Sequence, residues 1–193
     1  MKFEKFRINA IKFILLIHVG LAIFDFRFLI LPWIYIVFNL WRVYTKPFGG
    51  QWVPATMDKV KQMLKMAKIK PGEVLYDLGS GDGRIVSEAV RIYKTKAIGI
   101  EIDPIRVLLS RLKLKFDKLD KYAKIRCANL YNVNLSNANV VTMYLLPKTV
   151  DKLKSKLKRE LKPGSRIVSL QFPLTHWKPF RVDKENKIFV YKI

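Results

Sequence analysis

Cysteine, histidine and acidic side chains are the scarce residues of this 193-residue chain. A single cysteine, Cys127, excludes an internal disulfide and fits a reducing compartment. Two histidines, His18 and His176, with no Cys/His cluster, are too few for a zinc site. Acids are outnumbered: 15 Asp+Glu stand against 37 Lys+Arg, a formal net charge of +22. Residues 1–48 carry seven basic and two acidic side chains, so +17 of that excess falls on 49–193. Such a field favours nucleic acid, anionic lipid headgroups or acidic proteins, without choosing among them. Repeats and low-complexity tracts are missing too, and half the residues are hydrophobic, which excludes a chain disordered by composition. The length suits one packed domain with an appendage.

Two apolar runs open the chain, FILLIHVGLAIF (13–24) and FLILPWIYIVFNLW (28–41), parted by Asp25-Phe26-Arg27. No small-residue cleavage site follows the basic start, so a removed signal peptide is not expected. As a helix the first run reaches only about 18 Å, at roughly 1.5 Å per residue, against a hydrocarbon core of about 30 Å. Two arrangements stay open: a hairpin dipping into one leaflet, or an interfacial helix before one short span. Basic residues on both sides (Lys2, Lys5, Arg7 and Lys12 before, Arg42 and Lys46 after) tip the reading toward the hairpin with both ends cytoplasmic. The expectation is therefore a membrane-anchoring hydrophobic helical segment and linker over 1–48, touching lipid through residues 11–44. The catalytic domain, 49–193, would lie on the cytoplasmic side.

After Pro47-Phe48-Gly49-Gly50, strands and helices alternate. Helices are predicted at 55–68, 83–93, 104–120 and 148–161, with Leu153, Leu157 and Leu161 as a buried stripe in the last. Strands are predicted at 73–77, 96–101, 124–127, 139–145, 165–171, 179–183 and 187–192. This alternation predicts an α/β fold, Rossmann-like, whose seven-stranded and mostly parallel sheet has helices on both faces and an antiparallel edge.

In such a sheet ligands sit beyond the carboxyl ends of the strands. The segment VLYDLGSGDGRI (74–85) places a glycine-rich turn there. A dinucleotide fingerprint requires G-x-G-x-x-G; here Arg84 stands where the third glycine should fall, and Asp77 and Asp82 flank the loop. Carboxylates repel a pyrophosphate but suit a nucleoside with a cationic tail. S-Adenosyl-L-methionine, with its sulfonium and α-amine, is such a ligand. Asp77, Gly79, Ser80, Gly81, Asp82 and Gly83 are the loop candidates. Glu101, at the end of the second strand, is placed to accept from both ribose hydroxyls. Asn129 is placed either to accept from the adenine amine or to cap its own loop.

The loop resembles the first motif of class I S-adenosylmethionine-dependent methyltransferases. More narrowly, QWVPATMDKV (51–60), DLGSGDGRIV (77–86), NVVTMYLLP (139–147), KLKRELKPGSRIVSLQFPL (156–174) and Trp177 resemble the protein-lysine methyltransferases. That family comprises a broad-specificity archaeal enzyme and mitochondrial relatives acting on the ATP synthase c-ring protein and the adenine nucleotide carrier. The resemblance spans about 50–192 and implies transfer of methyl groups to exposed lysines of proteins, membrane-embedded ones included. Tyr144 stands where the family commonly has Phe, and Asn129 where others have Asp. The catalytic residues stay unassigned; Tyr144, Trp52 and Pro54 are candidates for a narrow apolar channel that lowers the pKa of an incoming lysine. Nucleic-acid methylation is the competing reading, suggested by charge. It is weakened by Met143-Tyr144-Leu145-Leu146-Pro147 standing where amine methyltransferases of nucleic acids carry a Pro-Pro motif. A lipid-headgroup amine acceptor and a non-catalytic donor-binding module are further alternatives.

Overall fold

The computed structural model describes Lys12, Tyr35, Ile36 and residues 53–193. The chain divides into two units, Met1–Tyr44 and Thr45–Ile193. In the second, the elements run α1 (Met57–Ala67), β1 (Val74–Leu78), α2 (Arg84–Tyr93), β2 (Lys96–Glu101), α3 (Pro104–Phe116), β3 (Ala123–Cys127), β4 (Val140–Met143), α4 (Pro147–Glu160), β5 (Arg166–Leu170), β6 (Arg181–Asp183) and β7 (Ile188–Lys192).

The seven strands form one sheet in the order β3-β2-β1-β4-β5-β7-β6. The first five pair in parallel, and β7 pairs antiparallel with both β5 and β6. The sheet is therefore mixed, with the antiparallel edge that its last two strands predict. Two apolar clusters cover its faces. One joins α1, α2 and α3 to the sheet through Val60, Met63, Leu64, Val86, Ala89 and Val107. The other seats α4 through Val150, Leu153 and Leu157. Each of the valine, leucine and methionine side chains among them, once buried, contributes about 1.5–3 kcal/mol of transfer free energy.

Local signals set the helix starts. Asp103 caps α3 by accepting from the amides of Ile105 and Arg106, with Pro104 in the first helical turn. Pro147 likewise stands in the first turn of α4, which has no side-chain cap. Ends differ more from expectation: α3 stops at Phe116 rather than 120, because Lys118 enters a left-handed conformation at φ 55°. Met57 is 40 % exposed because it opens α1, ahead of the turn that meets the core.

The expected N-terminal membrane segment is corrected. Among the described residues no helix is long and apolar enough to cross a membrane. Apart from Lys12, Tyr35 and Ile36, the apolar runs that suggested one lie outside the described residues. The physical weakness is in their lengths, each below the hydrocarbon thickness, and in the Asp25/Arg27 interruption.

Candidate active site

The strand order reverses direction between β1 and β4, and the glycine loop leaves β1 at that point. In register across the sheet stand Gly99, Asp77 and Thr142. Gly99 is required there by close approach: a Cβ would lie 2.6 Å from both Ser80 Oγ and Ile125 Cδ1. The missing side chain lets the loop fold back over β2. The amides of Gly79 and Ser80 both donate to the Ile100 carbonyl, at 2.9 and 3.0 Å. Gly79 has φ 77° and would meet Leu145 Cδ2 at 2.8 Å if it carried a Cβ, so this turn admits only glycine without rearrangement.

Glu101 holds the loop from the other side. Its Oε2 accepts from the Gly81 amide at 2.8 Å, and its Oε1 from the amides of Ile102 and Asp103 at 2.9 and 3.0 Å. Gly83 N donates to the Ser80 carbonyl at 2.8 Å. Four loop amides are thus committed within the protein, and the amide of Arg84 donates to Asp82 Oδ1 at 3.2 Å. A pyrophosphate needs such amides free. The loop fits a ligand read by carboxylates, at the end of a sheet whose buried Ser80 Oγ lacks a hydrogen-bond partner.

The two acids flanking the loop differ in kind. Asp77 is 2 % exposed. Desolvation raises its pKa from 3.8 to about 7; the hydrogen bond from Thr142 opposes this, and Glu101 and Asp82 add to the rise. Thr142 Oγ1 donates to Asp77 Oδ1 at 2.8 Å. Asp77 is thus a desolvated carboxyl held by a neutral hydroxyl donor. Asp82 is already paired. Arg84 Nε donates to both of its oxygens, at 2.9 and 3.1 Å, and Nη2 to Oδ2 at 2.6 Å. Burial alone would raise the Asp82 pKa, but the Arg84 contacts outweigh it and hold it below the usual range. Arg84 Nη1 also donates to the Ala55 carbonyl at 2.5 Å, tying the segment before α1 to the glycine loop.

Of the remaining candidates, Asn129 Oδ1 accepts from the Tyr131 amide at 3.0 Å, capping its own loop. Tyr144 directly follows β4 and packs half-buried against the cluster that contains Ala55. Pro54, beside Ala55, is exposed, and Trp52 lies outside the described residues. Sequence reasoning passes over three supporting residues: Thr142, Gly99, and Ser110, whose Oγ lies 2.9 Å from the Gly81 carbonyl. Thr142 has a faint signal, as the one hydroxyl inside the apolar strand VVTM.

Comparison with known proteins finds a matching family profile, relatives and solved structures. The profile described as the ANTKMT methyltransferase domain matches residues 77–181. A protein-lysine N-methyltransferase of Saccharolobus islandicus is 39 % identical over 134 residues, covering 69 % of this chain and 83 % of that protein. The human lysine N-methyltransferase of the ATP synthase c-ring protein is 35 % identical over 134 residues; the match covers 69 % of this chain but only 57 % of the human one. Among solved structures, an RNA methyltransferase from Salinibacter ruber in complex with S-adenosyl-L-homocysteine superposes with a TM-score of 0.71. It is 40 % identical, and the match covers 73 % of this chain and 94 % of that one.

Proposed function

The chain belongs to the ANTKMT methyltransferase family, and on that premise we propose that it methylates the side-chain amines of protein lysines. The methyl donor is S-adenosyl-L-methionine, which when bound supplies an electrophilic methyl group on a sulfonium. The observation that carries the reading is Asp77: a buried carboxyl, pushed up to about 7 and held by Thr142, at the mouth of a loop whose amides are spent.

The chain's own residues divide the work. Asp77 receives the cationic tail of the donor. Glu101 fixes the loop through the Gly81 amide and its own turn through those of Ile102 and Asp103, while presenting its carboxylate at the end of β2, where a ribose is read. Arg84 neutralises Asp82 and latches the loop to the segment before α1. Displacement at the methyl carbon is in line, so alignment of the nucleophile matters more than a strong base. The lysine must arrive neutral, against a reference pKa near 10.4. Tyr144, half-buried just past β4 against the cluster that contains Ala55, supplies apolar wall at the acceptor side. Desolvation there, beside a positive sulfur, favours the neutral amine.

Nucleic acid is the second reading, favoured by the likeness to the Salinibacter RNA methyltransferase and by the charge of +22. Against it, Met143-Tyr144-Leu145-Leu146-Pro147 after β4 offers no Pro-Pro platform for a flipped base. Incubation of the purified chain with methyl-labelled donor, total cell protein and total RNA separates the two. Label on lysine ε-nitrogens, resistant to ribonuclease and mapped by mass spectrometry, is the expected result; label confined to RNA would overturn the proposal.

A further inference from the structure

Helix α3 carries an apolar stripe on its outer surface. Ile105, Leu108, Leu109, Leu112 and Phe116 are 53 %, 57 %, 59 %, 56 % and 88 % exposed. Their steps of three and four residues put them on one face about 100° wide. The opposite face is already committed, since Val107, Ser110 and Leu114 are buried toward the sheet. Single exposed leucines need no explanation, but five large apolar residues in one row on a 13-residue helix do.

The borders of the stripe are basic. Helical geometry places Arg106, which also ion-pairs with Asp103, and Lys113 along one side, and Arg111, whose Nε donates to the Ile125 carbonyl, and Lys115 along the other. Next to it, Arg111, Lys124 and Arg126, together with Asp120, line an open hollow of about 370 Å³ at the β3 edge of the sheet. An apolar centre rimmed by cations on both sides is the pattern of a helix lying in the plane of a lipid interface.

We propose that α3 docks on an anionic bilayer surface, the stripe entering the acyl boundary and the flanking lysines and arginines meeting headgroup phosphates. Charge decides the occupant. A second copy would bring the same basic rims face to face, within a molecule of net charge +22. An anionic surface attracts those side chains instead. The inference concerns residues 104–126 alone and stands independently of the acceptor chemistry and of residues 1–52. Its consequence for the site is positional: Ile105 follows Glu101 by four residues, so docking holds the donor-binding strand ends beside the lipid surface.

The test uses the full chain, with Cys127, its one cysteine, replaced by serine and a polarity-sensitive fluorophore at Phe116→Cys. Glu185→Cys, on an exposed turn, serves as the control site. With vesicles containing phosphatidylglycerol the 116 probe shifts to the blue, and with pure phosphatidylcholine it does not; the 185 probe responds to neither. Leu108→Gln/Leu112→Gln, which alters exposed positions only, lowers partitioning onto the anionic vesicles about tenfold or more. Lys113→Glu/Lys115→Glu lowers it too, most clearly at low salt. Vesicle binding that leaves the 116 probe unchanged would overturn the proposal, as would no binding at all. So would a shift that grows with protein concentration without lipid, which would assign the stripe to a second copy.

Discussion

At the carboxyl end of β1, burial raises Asp77 from the ordinary 3.8 to about 7, Thr142 pulls it back in part, and Glu101 and Asp82 add to the rise. An acid whose folded pKa exceeds its unfolded value keeps its proton longer when folded. Between about pH 4 and 7 the unfolded chain has lost that proton and the folded chain has not, so stability falls as pH rises through this window. Asp77→Asn keeps the acceptor for Thr142 and removes the charge. The donor-free variant should be about 2–4 kcal/mol more stable than the parent near pH 8 and equal to it near pH 4, read by thermal denaturation at both. Its affinity for the donor should nevertheless fall about a hundredfold or more, since a cation then meets a neutral amide. Equal melting differences at both pH values would contradict the assignment. Thr142→Val removes the hydrogen bond that stabilises the ionised form. The midpoint of donor binding against pH should then move upward, as measured by a titration series. Asp77 and Glu101 are legible in the sequence because each is an acid ending an apolar strand. Thr142 is not, because its meeting with Asp77 depends on the β1–β4 register across 65 residues. Asp82, a loop candidate in the sequence, pairs with Arg84, two residues away, whose only sign in the sequence is that it replaces a glycine.

The loop and the strands beneath it behave as one element. Gly99 lies in the middle of β2, where sequence alone shows only a residue with poor strand propensity. The structure gives it a purpose, since Ser80 and Ile125 close over the place a Cβ would take. Gly99→Ala forces one of them aside and should cost about 1–3 kcal/mol by denaturant unfolding. Donor affinity should drop with it; an unchanged unfolding midpoint would show that the loop yields freely. Strand–helix alternation exposes the existence and type of the longer strands and helices of residues 53–193, which carry an apolar face of the right period, whereas the three-residue β6, Arg181–Asp183, has none. The order of the last two strands is out of its reach. Placing β7 between β5 and β6 follows from antiparallel pairing of Arg166–Leu170 with Ile188–Lys192, a choice that no local pattern encodes.

Across the molecule as a whole, charge is the property most visible in composition and least specific in meaning. If the excess of 22 positive charges steers acidic protein acceptors, raising salt from about 0.05 to 0.5 M should lower kcat/KM severalfold and leave kcat nearly unchanged. Steady-state kinetics on one protein acceptor checks this; a fall in kcat alone would place the salt effect on the chemical step. Apolar content at the start of the chain suggests a membrane segment that no helix among the described residues provides. The apolar surface that the fold does display, on α3, is hidden in the sequence because its residues alternate with lysine and arginine in an ordinary amphipathic pattern. Both readings of the acceptor rest on the same prior event, capture of a cationic nucleoside by an ionised Asp77. Titration calorimetry of S-adenosyl-L-methionine in buffers of different ionisation enthalpy measures that event directly. The account predicts binding that releases close to one proton near pH 6 and close to none near pH 8, with affinity rising between them. Uptake of the donor without proton release, or indifference to it alongside binding of a nicotinamide dinucleotide, would contradict it.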